Sequence, residues 1–171
     1  MIKSTHPEFE KLIAGNPVYS TLELLDFLDG IGVSYTRQGS VLTLNPGMEL
    51  LDEAAIRTEL QHLVSELQMS TLDLEIHRVT QSTNDVVMQR LVESQSTAIL
   101  CAAEMQTAGK GRRGRRWISP FGRNVYLTYG RFIGRQLSEL GGLSLVVGMV
   151  VVDVLRAMGS ERVGLKWPND I

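Results

Sequence analysis

Between two short apolar runs, Thr97–Ala103 and Asn124–Phe132, the chain commits everything from Glu104 to Gly122 to a loop rich in glycine and arginine. Apolar runs of this kind suit strands buried in a sheet. A long loop held between two such strands of a compact domain is usually functional. The same loop carries the concentrated charge of the molecule. Residues 1–100 hold six Lys/Arg against 14 Asp/Glu, whereas residues 101–171 hold 11 against five. Five of those 11 cations fall within Lys110–Arg116, in a chain whose formal net charge is −2. Positive charge gathered at one place points to an anionic ligand.

The loop core reads Gln106-Thr107-Ala108-Gly109-Lys110-Gly111-Arg112-Arg113-Gly114-Arg115-Arg116-Trp117. Its glycines let the backbone approach a ligand closely, expose N–H groups and adopt positive φ where needed, while the cations supply charge. Arginines add bidentate bonds to phosphoryl or carboxylate oxygens, and Trp117 offers a flat apolar face for a purine or ureido ring. On composition alone such a basic run reads as a nucleic-acid patch or localisation signal. Its placement between two predicted core strands favours a phosphate cradle. It is not a Walker A loop, because the pattern of four residues between Gly and Gly-Lys-Ser/Thr is absent.

The rest of the chain organises around this loop. Up to about Pro46 it reads as short helices followed by a hairpin: Ser20 or Thr21 caps a helix through Leu22, Leu24, Leu25 and Leu28, and Val33–Thr36, a Gln38-Gly39 turn and Val41–Leu44 follow. Asn45-Pro46-Gly47 breaks the pattern, so a boundary is placed near residue 46. Beyond it the periodicity predicts a helix with Ile56, Leu60, Leu63, Val64 and Leu67 on one face, and a strand through Leu72, Leu74 and Ile76. Ser82-Thr83-Asn84 caps a helix carrying Val87 and Leu91. Ser138–Met158 is the most apolar helix candidate, and Val163–Trp167 is a short strand running into Pro168-Asn169-Asp170. The expected class is α+β, a mixed sheet packed with helices.

Other features exclude alternatives. The single cysteine, Cys101, rules out an intramolecular disulfide and, flanked by apolar residues, reads as a buried structural thiol. His6, His62 and His77 lack metal-ligand spacing. Met1–Glu10 lacks the pattern of a signal peptide, and the uncharged run near the C-terminus is well short of the roughly 20 apolar residues of a membrane span. A cytoplasmic, membrane-free protein is the expectation.

Taken together, Gln106–Trp117, the following Ser119-Pro120-Phe121-Gly122 and Asn124-Val125-Tyr126-Leu127, the earlier Ser82-Thr83-Asn84, and the terminal Lys166-Trp167-Pro168-Asn169-Asp170 resemble the motifs of biotin–protein ligases, in family order and spacing. The match covers about residues 70–171. The resemblance implies a ligase catalytic domain of the class II synthetase type over residues 47–171, preceded by a reduced winged-helix-like segment over 1–46. It implies a two-step reaction using biotin, ATP and Mg²⁺. The biotin carboxylate attacks the α-phosphate, and a lysine of the biotin carboxyl carrier protein of acetyl-CoA carboxylase then attacks the mixed anhydride.

On that resemblance, Ser82, Thr83, Asn84 and Gln106 surround the biotin head group. Lys110, Gly111, Arg112, Arg113 and Arg115 meet the carboxylate and phosphates, and Trp117 lies beside the adenylate. Lys166 neutralises phosphate charge, and Asn169 and Asp170 orient ATP or hold Mg²⁺. Arg112, Arg115 and Lys166 carry the catalytic charge stabilisation. Read without the other motifs, Lys166-Trp167 is a strand end and Ser82-Thr83 a helix cap. Lys110 departs from the arginine the family often has, which keeps the charge and loses the planar fork.

The resemblance also implies, after Asp170, a further biotin-contacting lysine, more strands and a small β-barrel. A chain ending at Ile171 is therefore expected to be a fragment with uncovered sheet edges. Some biotin ligases double as repressors through an N-terminal winged helix, which Leu22–Leu44 resembles. A net negative segment with few arginines is nevertheless a poor DNA reader. A homodimer coupled to ordering of the loop is left open. The alternatives are a lipoate or octanoyl ligase and a biotin-sensing DNA-binding regulator without ligase activity.

Overall fold

The structure is a computed structural model that describes residues 6–44, 49–65, 69–93, 98–134, 136, 140–167 and 170–171. It divides into two compact units, Met1–Phe132 and Ile133–Ile171.

The first unit opens with helix α1 (Pro7–Ile13), strand β1 (Val18–Tyr19), helix α2 (Leu22–Ile31) and the hairpin β2 (Tyr35–Gln38) and β3 (Val41–Leu44). Thr21, one of the two expected caps, starts α2 by accepting the Leu24 N–H at 3.2 Å. Gly32 ends it in the left-handed conformation at φ 70°, which glycine reaches without Cβ strain. The hairpin pairs Gln38 with Val41, so its turn is Gly39-Ser40, one residue beyond the predicted dipeptide. β1 joins the other edge of β3, giving an antiparallel sheet in the order β1-β3-β2. At two residues, β1 is too short to show alternation in the sequence.

These elements enclose a core of Phe9, Leu12, Val18, Leu24, Leu28, Ile31, Val33 and Leu42, which also takes in Phe121 from the base of the Gly/Arg loop. The Phe9 ring meets Phe27 and Phe121 at 5.2 and 5.5 Å between centroids, both edge-on, as aromatic quadrupoles prefer.

Helix α3 (Glu53–Leu63) is capped by Asp52. None of its residues is buried, so the predicted apolar face, of which Leu67 lies outside the described residues, is not packed away. Its Arg57 instead pairs with Glu53 and reaches the Leu74 carbonyl.

The second sheet is mixed. Strand β5 (Ala98–Ala103) lies at its centre, parallel to β4 (Leu72–His77) and antiparallel to β6 (Tyr126–Arg131). β5 is apolar throughout because a central strand is covered on both faces, and the Cys101 thiol is buried within it, as expected. Helix α4 (Thr83–Glu93) packs Val87 and Leu91 onto this sheet. A Cβ at Gly130 would lie 2.3 Å from Val87 Cγ1, so only glycine admits the helix this closely.

In the second unit, helix α5 (Leu143–Ala157) forms within the predicted span, entered through left-handed Gly142. Gly148 lies under the Leu165 side chain, where a Cβ would come within 2.5 Å. Arg156 donates to the Val163 carbonyl at 3.1 Å. The predicted strand Val163–Trp167 does not form: only Lys166 makes a ladder contact, exchanging backbone hydrogen bonds with Asp170 at 2.7 and 3.0 Å across a turn. A strand needs a neighbour along its whole length, and here the chain folds back on itself instead. Among the described residues no helix is long and apolar enough to cross a membrane, and no cluster of His, Cys, Asp or Glu forms a metal site.

Candidate functional site

Beyond the ends of β4 and β5 the two chains continue side by side. Thr80 donates to the Met105 carbonyl at 3.1 Å, Thr107 to Thr80 at 2.9 Å and Ala108 to Gln81 at 2.9 Å. This extension carries Gln106 to the N-terminus of α4. There its side-chain oxygen accepts the Thr83 N–H at 2.9 Å and the Thr83 hydroxyl at 3.1 Å, while its amide nitrogen donates to Ser119 Oγ at 3.2 Å. The same Thr83 hydroxyl lies 2.9 Å from Thr128 Oγ1 on β6. Ser82 Oγ caps α4 by accepting the Asp85 N–H at 3.4 Å, so the capping role and a place at the site hold together.

The loop is pinned at its base, where the Gly122 N–H donates to the Glu104 carbonyl at 2.9 Å. The Tyr126 hydroxyl donates to the Pro120 carbonyl at 2.9 Å. Its tip is a small hairpin: the Gly111 N–H meets the Arg115 carbonyl at 2.8 Å and the Trp117 N–H meets the Gly109 carbonyl at 3.0 Å. The glycines thus divide their work. Gly114 takes positive φ at 73°, beside Arg113 at 58°, whereas Gly111 is held to glycine by the closeness of the hairpin arms and Gly109 sits in tight contact with the opposite arm. A Cβ on Gly111 would meet the Arg115 carbonyl at 2.9 Å, and one on Gly109 the Trp117 carbonyl at 3.1 Å. Of the glycine roles read from the sequence, positive φ falls to Gly114; Gly111 lines the cavity while its N–H is satisfied within the hairpin.

Between hairpin and sheet lies an open cavity of about 320 Å³ lined by Ser82, Thr83, Asn84, Gln106, Lys110, Gly111 and Trp117, with Val125, Tyr126, Leu127 and Thr128 of β6 completing the wall. Seven residues singled out from the sequence therefore converge on one cavity. Arg113 and Arg115 are exposed on the hairpin and do not line it. The Arg112 side chain and Asn169 lie outside the described residues, and Lys166 and Asp170 belong to the second unit. Sequence reasoning passed over Thr128, whose signal was its alternation with Tyr126 on β6. It also missed Asp85, whose carboxylate holds Lys110 Nζ at 2.5 Å.

A second cavity, of about 340 Å³, lies against the loop base and is lined by residues including Glu49, Leu51, Glu104 and Arg123. Burial pushes the Glu104 carboxyl above the usual glutamate range, against the downward pull of the Leu51 N–H and the Arg78 guanidinium.

Comparison with known proteins places this geometry in context. The chain is 37% identical over 137 residues to the bifunctional ligase/repressor BirA of Salmonella typhimurium, covering 80% of this chain and 40% of that protein. It is 46% identical over 93 residues to BirA of Escherichia coli, covering 54% and 29%. To the biotin–[acetyl-CoA-carboxylase] ligase of Mycobacterium tuberculosis it is 33% identical over 126 residues, covering 71% and 46%. The chain thus spans less than half the length of each of these relatives. Among solved structures it is similar to the Leishmania major biotin protein ligase in complex with biotinyl-5-AMP, at 30% identity and a TM-score of 0.46 over 57% of this chain and 46% of that one. The profile of the biotin/lipoate A/B protein ligase family matches residues 76–171, more than half of the sequence and all of the cavity's lining, and the chain belongs to that family.

Proposed function

We propose that this chain is part of a biotin–protein ligase, which adenylates biotin with ATP and passes the biotinyl group to a lysine of the biotin carboxyl carrier protein of acetyl-CoA carboxylase. The observation that supports this best is the convergence of Ser82, Thr83, Asn84, Gln106 and Lys110 on one cavity. Its volume suits a small bicyclic ligand, and its hydroxyls and amides suit a ureido ring. Relatives described as biotin–[acetyl-CoA-carboxylase] ligases point the same way.

In the proposed reaction a carboxylate oxygen of biotin bonds to the α-phosphorus and pyrophosphate leaves. The carrier amine then bonds to the acyl carbon, AMP leaves and the amine gives up a proton. Both steps place charge on phosphoryl or acyl oxygens, so preorganised cations and dipoles carry the catalysis and no enzyme nucleophile is needed. Gln106 orients the ring site through Thr83. Lys110, Gly111 and Arg112 meet the biotin carboxylate, Arg113 and Arg115 meet the phosphates, and Trp117 stacks beside the adenylate. Lys166, Asn169 and Asp170 serve the ATP end. The exposed carboxylate of Asp170 is a hard oxygen donor that would hold Mg²⁺, and the ion would neutralise phosphate charge.

We assign residues 1–46 to a reduced, winged-helix-like module that acts as scaffold rather than DNA reader, and residues 47–171 to the ligase part. Within Pro7–Leu44 the cations are Lys11 and Arg37, against Glu8, Glu10, Glu23, Asp26 and Asp29. Cytoplasmic location follows from the reaction proposed.

Calorimetric titration with biotin, with and without ATP, tests the assignment. Biotin binding strengthened by ATP, with ATP-dependent labelling of a carrier domain, is the expected result. A preference for lipoate would move the chain to the other branch of the family, and salt-sensitive operator binding without label transfer would make it a regulator.

A further inference from the structure

Among the described residues the Lys110 ammonium is the cation that lines the cavity, and it is already engaged. Asp85, in the first turn of α4, holds Lys110 Nζ at 2.5 Å. This carboxylate follows directly on Ser82-Thr83-Asn84, at the rim where a ligand's charged end would meet Lys110, and the partial positive charge of the helix N-terminus favours an anion there. Both side chains are substantially exposed. The pair is therefore weak enough to exchange, since exposed ion pairs contribute little.

We infer that Asp85 is a specificity-setting counterion: it occupies Lys110 in the free chain, so an anionic ligand must exchange for it whereas a neutral ligand of the same shape leaves the pair intact. The inference rests on the proposed function for the identity of the ligand, and on the Lys110–Asp85 geometry for the rest. An anion arriving at Lys110 gains one charge contact, forfeits another and is left beside a carboxylate. Lys110 therefore contributes modestly less net attraction than an unpaired ammonium in its place would. Removing the carboxylate while keeping the shape frees the ammonium.

The experiment compares the whole chain with its Asp85→Asn variant, titrated with biotin, with biotin methyl ester as the neutral analogue, and with inorganic pyrophosphate as an anion that does not depend on the ring. Asp85→Asn binds biotin and pyrophosphate about two- to fivefold more tightly, the range set by an exposed pair, and the methyl ester unchanged. Its anion affinity also falls more steeply with salt, because a net cation has replaced a neutralised one. In a Lys110→Met background the same substitution gives a smaller gain, the part due to carboxylate–anion repulsion alone. An equal change for biotin and its ester would show a structural effect and overturn the inference, as would absent or weaker pyrophosphate binding in Asp85→Asn. Tightened pyrophosphate binding without any binding of biotin or its ester would uphold the counterion and dismiss the biotin assignment.

Discussion

The side chain of Gln106 is bonded to Thr83 twice, accepting its backbone N–H at 2.9 Å and its hydroxyl at 3.1 Å. Its amide nitrogen meanwhile donates to Ser119 at 3.2 Å. One amide therefore joins the N-terminus of α4 to both arms of the Gly/Arg loop. Gln106→Leu removes the acceptor and leaves the Thr83 N–H without this partner, a loss of about 1–3 kcal/mol. We expect lower stability in urea and at least a tenfold loss of biotin affinity. Gln106→Glu keeps the acceptor but cannot donate to Ser119, so its affinity should lie between the two.

Arg78 donates to Glu104 at 3.3 Å, to the Leu51 carbonyl at 3.1 Å and to Glu10 at 3.4 Å. It thereby ties α1 and the segment before α3 to the strand ends that lead into the site. Both Arg78 and Glu104 are buried. Arg78→Met strands a buried carboxylate and should cost about 3–5 kcal/mol in equilibrium unfolding. The double variant Arg78→Met/Glu104→Leu should recover much of that loss, because an apolar pair removes both desolvation penalties. A double variant as unstable as the single one would show that the packing, not the charge, was lost.

The pH dependence of stability carries the signature of Glu104. Burial raises its carboxyl above the ordinary range, so the folded chain holds this proton more tightly than the unfolded chain. Linkage then makes its contribution fully present below the ordinary glutamate value and lost as pH rises through the raised one. Subtracting the stability-against-pH curve of Glu104→Gln from that of the unaltered chain should leave a downward step with rising pH. An upward step would mean that Arg78 outweighs burial.

Two glycines should fail in different ways. Gly130→Ala drives a methyl to 2.3 Å from Val87 Cγ1 and 3.1 Å from Leu91 Cδ1. That overpacking should cost about 1–3 kcal/mol in thermal or urea unfolding. Gly111→Ala meets backbone, the Arg115 carbonyl at 2.9 Å, on an open surface loop. It should leave global stability nearly unchanged while splaying the hairpin, seen as a change in Trp117 emission (in a Trp167→Phe background) and weaker anion binding.

What the sequence determined by itself was whatever local chemistry or short-range pattern encodes. The uniformly apolar Ala98–Ala103 announced a central strand because both its faces are covered. Ser20-Thr21 and Ser82-Thr83-Asn84 announced helix starts because capping is a matter of a few neighbouring residues, and the cations and glycines of Gln106–Trp117 announced a loop where positive charge gathers. Tertiary structure alone decided the partners. Arg78 with Glu104, Asp85 with Lys110, Thr83 with Thr128 and Phe9 with Phe121 are each distant in sequence, and no local period records which distant side chain will arrive. Packing also decided why Gly111 is glycine, since the neighbour it must admit is the returning arm of its own hairpin. It likewise turned Val163–Trp167 away from strand, because a strand exists only where another strand lies beside it to take its hydrogen bonds.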